Sequence, residues 1–169
     1  MAKPKTPATP DGYNTVNPFI ISDKAETVIA FVKDVFDGIE SPDALTRDED
    51  GLILHSEVKL GDSVIMIADR KPDWPYTPSL LQVYVDDVQI ALKKAQSHGA
   101  AIVTKPTDFM GTLFARVKDA QGNLWWIYQY IGEVDWSEAA EGDDQSWEPS
   151  KEAVYIHDTL LEAMRGLKK

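Results

Sequence analysis

The stretch FIISDKAETVIAFVKDVFDG, Phe19 to Gly38, runs from a short apolar strand into an amphipathic helix. The stretch LQVYVDDVQIALKKAQSHG, Leu81 to Gly99, does the same, with Asp86 standing 63 residues after Asp23. Self-similarity at this spacing marks a duplicated supersecondary unit. Each helix is expected to open with a capping box, Asp23 with Glu26 and Asp86 with Gln89, whose side chains satisfy orphan backbone N–H groups. Each is expected to stop at a glycine, Gly38 and Gly99, in the left-handed conformation that ends many helices. The apolar stripes match as well. Ala25, Val28, Ile29, Val32, Val35 and Phe36 lie at helical spacing in the first copy, and Val88, Ala91, Leu92 and Ala95 in the second.

Short strands of alternating character follow each helix, at residues 52–60 and 63–68 in the first copy and 112–118 and 123–128 in the second. The pair HSEVKLGD–SVIMI, from His55, lines up with FARVKDAQGNLWWI, from Phe114. Both contain Val-Lys and a turn glycine, Gly61 or Gly122. The repeated order of strand, capped helix and hairpin predicts an α+β fold made of two βαβββ modules in tandem, with a further helix at the C-terminus.

Composition narrows the function classes. The 169 residues suffice for one domain, or two small modules sharing a core. No apolar run is long enough to span a bilayer, so no membrane partner is expected. MAKPKTPATPDG, at the N-terminus, has no apolar signal core and is expected to be a disordered tail over residues 1–12. The absence of cysteine excludes disulfides, thiolate metal sites and a cysteine nucleophile, and agrees with a cytoplasmic location. A net charge of -11 argues against a nucleic-acid partner. Seven of the acidic residues fall between Glu133 and Glu148, in a stretch without Lys or Arg. Such a run is expected to be a solvated linker, over residues 131–149. Beyond it, Ser150 can cap a helix over residues 150–169, with a stripe of Ala153, Ile156, Leu160, Ala163, Met164 and Leu167. That stripe needs burial against its own module or a partner subunit. The modules themselves are expected over residues 13–70 and 80–130, joined by a Pro-rich loop at 71–79.

The stretches VNPFIISD, LHSEVKLGDSVIMIAD, VYVDDV and ARVKDAQGNLWWI, which begin at Val16, Leu54, Val83 and Ala115, resemble the glyoxalase, bleomycin-resistance and extradiol dioxygenase superfamily, the vicinal oxygen chelate fold. The resemblance runs from Tyr13 to Tyr130. It implies that each curled sheet turns one face to its helix and the other to a small-molecule cleft, and that the chain forms a homodimer. The superfamily hosts lyases, isomerases, dioxygenases and non-catalytic drug-binding proteins, so the fold alone does not select a function. Its enzymes hold a divalent ion with one His or Glu from each of four strands. Aligned on the strand-ending Asp and the hairpin Gly, those positions carry Val16, Met66, Leu80 and Trp126. Their neighbours Asn17, Ile65, Leu81 and Trp125 do not restore a ligand set, so neither a metal site nor a cofactor is expected.

Strand alternation then assigns faces. Leu54, Ser56, Val58, Leu113, Ala115 and Val117 are expected to meet the helices, with Leu81, Val83 and Val85. His55, Glu57, Phe114 and Arg116 are expected to face the cleft with Leu80, Gln82 and Tyr84. The adjacent Trp125 and Trp126 must point opposite ways. His55 and Glu57 could begin an unusual metal site or act as acid and base, but are expected to be a polar pair, with Glu57 reaching Arg116. His98 is placed to complement a helix C-terminus, and His157 to lie exposed or pack on the body.

The predicted cleft lining is therefore His55, Glu57, Met66, Gln82, Tyr84, Phe114, Arg116, Trp126 and Tyr128, with Trp74 and Tyr76 in the Pro-rich loop. Exchanging ligands for Trp, Met and Leu suits a flat aromatic or cationic ligand held by stacking. The same side chains could instead fill the cleft. Three functions fit these residues. They are a metal-independent small-molecule binder, an enzyme built on His55 and Glu57 with a raised Glu57 pKa, and an oligomeric interaction module with filled clefts.

Overall fold

Both repeats fold as β-α-β-β-β, with helix and hairpin in the expected order. In the first, β1 (Phe19–Ser22) leads into α1 (Ala25–Phe36) and the two-residue β2 (Ile39–Glu40). A 3-10 turn (Pro42–Ala44) and a ribbon of β3 (Thr46–Arg47) and β4 (Ile53–His55) precede the hairpin of β5 (Glu57–Leu60) and β6 (Ser63–Asp69). The second repeat contains β7 (Leu80–Tyr84), α2 (Val88–Ser97), β8 (Ala101–Phe109), β9 (Thr112–Lys118) and β10 (Leu124–Tyr130), and α3 (Lys151–Arg165) follows. The sheets have the orders β1-β6-β5-β2 and β7-β10-β9-β8, with the first and last strands of each repeat parallel and the other pairs antiparallel. The computed structural model describes residues 8–132 and 149–167. The chain divides into two compact units, Met1–Pro78 and Ser79–Lys169. The predicted N-terminal tail lies mostly, and the acidic segment with Trp136 and Trp147 almost wholly, outside the described residues. No described helix is long and apolar enough to cross a membrane.

Each helix covers one face of its own sheet. All the predicted stripe residues of α1 and α2 are buried, and Phe31 joins them. Against them lie Ile20, Val58, Ile65 and Ile67 in the first unit, and Val83, Ala115, Val117, Trp125 and Ile127 in the second. Burial of branched aliphatic side chains between helix and sheet is the dominant stabilising term of each unit.

The helix starts differ from the capping boxes expected. Lys24 is the N-cap of α1 and makes no side-chain cap. Asp23 instead accepts from Arg70, and Glu26 from Arg47. The first helical N–H, of Ala25, donates to Asp69 Oδ1 at 2.8 Å, from the end of β6. In the second unit the cap is Asp87, one residue later than expected, accepting from Ile90 N–H at 2.9 Å. There the first helical N–H, of Val88, donates to Gln129 Oε1 at 3.1 Å, from the end of β10. A side chain from the last strand thus caps the helix in both repeats. It pins the parallel strand pair to the helix start, a non-local partnership that no local spacing encodes.

Helix ends show a second difference. In α1 the left-handed residue is Asp37, at φ 57°, and not Gly38. Gly38 is required by space, because a Cβ there would sit 2.8 Å from Val58 Cγ1 and 3.0 Å from Val32 Cγ1. Gly99 follows the expected pattern at φ 79°, with His98 as C-cap. Between β4 and β5 the predicted continuous strand is broken at Ser56. Ile53 and Ser56 are both buried while Leu54 is exposed, so Leu54 leaves the helix-facing set expected for it. The cause is pairing: β4 belongs to the β3 ribbon, while the Ser56 hydroxyl donates to the Ile67 carbonyl at 2.6 Å and re-enters the main sheet.

Replacing Gly38 by Ala should lower the urea midpoint by an amount worth about 1–3 kcal/mol, because the added methyl must displace Val58. The comparison variant Gly61→Ala meets no neighbouring atom within 4 Å and carries only the strain of its positive φ. Equal losses in the two variants would show that the Val58 contact is not limiting.

Candidate functional site

Asp119 sets the phase of the strands that build the site. It is buried at the β9–β10 turn and accepts from the N–H groups of Gln121 and Asn123, from Asn123 Nδ2, and from Trp125 Nε1 at 3.0 Å. With Trp125 held inward, alternation turns Trp126 to the face opposite α2. Cross-strand register then lays out two rows on that face. One row runs Thr104, Arg116, Trp126, Gln82 across β8, β9, β10 and β7, and the next runs Thr107, Phe114, Tyr128, Tyr84. The Tyr128 ring lies 4.9 Å from Phe114 and 5.5 Å from Tyr84, centroid to centroid.

Arg116 is the unusual member. Its guanidinium lies over two rings, 4.7 Å from the Phe114 centroid and 4.9 Å from that of Trp126. The residue is 3% exposed, and no carboxylate pairs with it among the described residues. Nη1 donates to Thr104 Oγ1 at 3.0 Å and to the Ile156 carbonyl at 2.8 Å, while Nε is buried with no hydrogen-bond partner among the described residues. Burial lowers its pKa to about 10, which leaves it a cation at neutral pH. Burial likewise raises the pKa of the neighbouring Tyr128 hydroxyl.

The Ile156 carbonyl belongs to α3, which lies along β8 on this same face. Ser150 caps α3 as expected, accepting from Ala153 N–H. Ala153, Ile156, Leu160, Ala163 and Leu167 of the expected stripe are half-buried, whereas Met164 is exposed. Two further bonds tie the helix down: Thr104 Oγ1 to Thr159 Oγ1 at 2.8 Å, and Lys105 N–H to the Tyr155 hydroxyl at 3.0 Å. The helix therefore shuts the β8–β9 half of the face, so Phe114 and Arg116 are buried where an open lining was expected. The β10–β7 half stays accessible, with Gln82 and Tyr84 exposed and Trp126 and Tyr128 half-buried. At its edge is a shallow pocket of about 290 Å³ lined by Tyr84, Val85, Asp86, Gln129 and Tyr130.

In the first unit the matching row is Glu57, Met66, Phe19. Glu57 stands where the second unit has Arg116. It accepts from the Tyr13 hydroxyl at 2.8 Å and lies 3.0 Å from His55 Nε2. Partial burial pushes the Glu57 pKa up, but the bonds from His55 and Tyr13 outweigh this and hold it below its ordinary value. Glu57 is therefore a carboxylate at neutral pH, able to accept a proton but not to donate one. Within its own unit Glu57 has Tyr13 and His55 as partners, and Arg116 has Thr104 and Ile156.

The positions that the family resemblance assigns to metal ligands carry side chains without donors suited to a divalent ion. Val16 and Leu80 are exposed aliphatics, Met66 is flanked by Phe19 and Glu57, and Trp126 by Gln82 and the Arg116 cation. Among the described residues no group of three or more His, Cys, Asp or Glu could hold a metal ion. These residues do not fit the group.

Of the predicted lining, Glu57 and Met66 lie on the first sheet and His55 on the β3–β4 ribbon, while Gln82, Tyr84, Phe114, Arg116, Trp126 and Tyr128 share one face of the second sheet. Trp74 is exposed in its loop, and His157 is exposed beside Asp158. Sequence reasoning placed Tyr13 at the start of the first module but missed it as a partner of Glu57. It also missed Thr104, Tyr155 and Thr159, whose only signal was an amphipathic helix in need of a surface.

Comparison with known proteins bears on this geometry. The profile of the Glyoxalase/Bleomycin resistance protein/Dioxygenase superfamily matches residues 13–127. The chain belongs to that superfamily. No curated protein matches it. Among solved structures it is similar to TioX from Micromonospora sp. ML1, with 21% identity, 69% of this chain and 99% of that one covered, and a TM-score of 0.52. It is also similar to a glyoxalase/bleomycin resistance protein/dioxygenase family enzyme from Burkholderia phytofirmans PsJN, with 17% identity, coverage of 67% and 95%, and a TM-score of 0.55. The fosfomycin resistance protein FosX from Listeria monocytogenes shares 13% identity, with coverage of 72% and 94% and a TM-score of 0.53. At such identities the likeness shows the fold alone. The family match ends at residue 127, before α3 begins.

Glu57→Gln should lower stability at neutral pH. A depressed carboxylate pKa contributes stability above the unfolded value, near 4.5, and loses it as pH falls through the folded value. The difference in melting temperature between wild type and variant should accordingly close as pH falls below the unfolded value and through the folded one. A gap independent of pH would mean that Gln disturbs packing rather than the hydrogen bonds from Tyr13 and His55.

Proposed function

We propose that this glyoxalase superfamily chain is a metal-independent binding protein for a small aromatic molecule, held on the open half of the second sheet. One observation carries this reading. Trp126, Tyr128 and Tyr84 form an aromatic surface on one face of β10 and β7, with Tyr84 exposed, Trp126 and Tyr128 half-buried, and Gln82 beside it as a polar handle. Apolar contact area with a few polar groups is the usual makeup of a small-molecule site. An aromatic ligand gains stacking energy there beyond the area it buries. A cationic ligand is disfavoured. The faces of Phe114 and Trp126 that would attract a cation already carry the Arg116 guanidinium, and like charges at that range repel.

An enzymatic reading built on His55 and Glu57 has less support, because the Glu57 pKa is lowered where that reading expects it raised, and only two candidate ligands converge there. On the binding-protein reading the chain acts as a homodimer in the cytoplasm.

The test is a thermal-shift panel of flat aromatic compounds against wild type and Trp126→Ala, with elemental analysis of the same never-chelated preparation. Compounds that raise the wild-type melting temperature should lose most of that shift in the variant, and no divalent metal should copurify stoichiometrically. Ligand shifts that survive in Trp126→Ala would place the site elsewhere. Stoichiometric metal would sink the metal-independent reading.

A further inference from the structure

Resting on the aromatic-binding reading above, we propose that the site takes a carboxylate-bearing aromatic, with Arg116 binding the carboxylate and α3 as the built-in competitor. Three observations converge on Arg116. The side chain is a buried cation without a carboxylate partner among the described residues. Its Nε is an orphaned buried donor. Its guanidinium lies over both Phe114 and Trp126 at the boundary between the covered and open halves of the face.

A buried guanidinium has five N–H donors and no acceptor capacity, and leaving donors unmade in a low-dielectric site is costly. Neutral oxygens, here one hydroxyl and one helix carbonyl, both on Nη1, do not neutralise the charge. A carboxylate does, and its two oxygens match two adjacent N–H groups of the guanidinium fork. A ring attached to that carboxylate would extend over Trp126 and Tyr128 toward the open β10–β7 half.

In this structure the acceptor facing the guanidinium is the Ile156 carbonyl of α3. Arg116 is 3% exposed, so the helix that holds this carbonyl must move for a carboxylate to reach the side-on fork of Nε and Nη2. Helix α3 suits that role, because none of its residues is fully buried. Its polar ties run through the chain Arg116, Thr104, Thr159 and through Tyr155 to Lys105 N–H. Thr104 accepts from Arg116, so its hydroxyl hydrogen is available to Thr159, which in turn donates to the Tyr155 carbonyl at 2.9 Å. An element with few buried contacts opens at lower free energy than the core that it covers. Displacing it opens the guanidinium to a carboxylate without disturbing the α2 side of the sheet.

The experiment titrates the full chain with benzoate and, separately, with benzyl alcohol, following the Arg116 Nε–H and Trp126 Nε1–H resonances by two-dimensional NMR. Benzoate should bind about tenfold more tightly than the alcohol, the discrimination expected of a charged hydrogen bond. Arg116→Met should abolish that preference, and Arg116→Lys should restore only part of it. Their folding is checked by spectral dispersion. Loosening α3 in the full chain with Tyr155→Phe and Thr159→Val together removes two tethering hydrogen bonds, and should tighten benzoate by about tenfold. Equal affinity for benzoate and benzyl alcohol, both lost in Trp126→Ala, would overturn the carboxylate assignment and leave the aromatic-binding reading intact. Binding of neither probe would count against both. A benzoate preference kept in Arg116→Met, or no gain in the loosened variant, would remove Arg116 or α3 respectively from its assigned role.

Discussion

Asp119 is the constraint on which the second unit turns. A single buried carboxylate takes four hydrogen bonds from the β9–β10 turn and from the Trp125 indole. Charge-assisted bonds to backbone N–H groups are strong enough to fix the hairpin register. Because side chains alternate with period two, a one-residue slip would carry Trp126 into the α2 core and Trp125 out of it. Asn123, one of the donors, also accepts from Ser79 N–H at 2.9 Å, which ties the turn to the start of the parallel partner β7. The face presented by β7, β9 and β10 is in this sense a consequence of one turn.

The two repeats preserve their architecture while diverging in charge at one matching position. The row Glu57, Met66, Phe19 and the row Arg116, Trp126, Gln82 have the same register relation to their helices. In the first, a carboxylate has gathered local donors, Tyr13 and His55, and is fully satisfied. In the second, a cation has found two rings, a hydroxyl and a helix carbonyl, and retains an unsatisfied donor. Duplicated folds tolerate this because the helix side of each sheet carries the stability, leaving the opposite face free to vary.

Much of this was legible in the chain. The positions of α1, α2 and α3, the buried stripes of α1 and α2, and the opposed faces of Trp125 and Trp126 all follow from periodicity and duplication. What escaped were interactions made across the fold. The caps of α1 and α2 draw on Asp69 and Gln129, more than 40 residues away, where Asp23 and Glu26 promised a local box. Gly38 looked like a helix stop, but is small because Val58 presses on it from another strand. The break at Ser56 arises from a ribbon, β3 with β4, that alternation alone does not reveal.

The sequence by itself determined the repeat, the phase of each helix and strand, and the absence of metal-ligating side chains at the positions that the family resemblance names. These are local properties, set by which residue follows which. Only the tertiary structure decided that α3 settles on the face of its own second sheet, and that Arg116 lies buried beneath it between Phe114 and Trp126. An amphipathic stripe specifies that a helix must be covered but not by what, and an alternating strand specifies a face but not its neighbour. Which surfaces meet depends on the joint packing of segments far apart in the chain, and that information appears only when they are brought together.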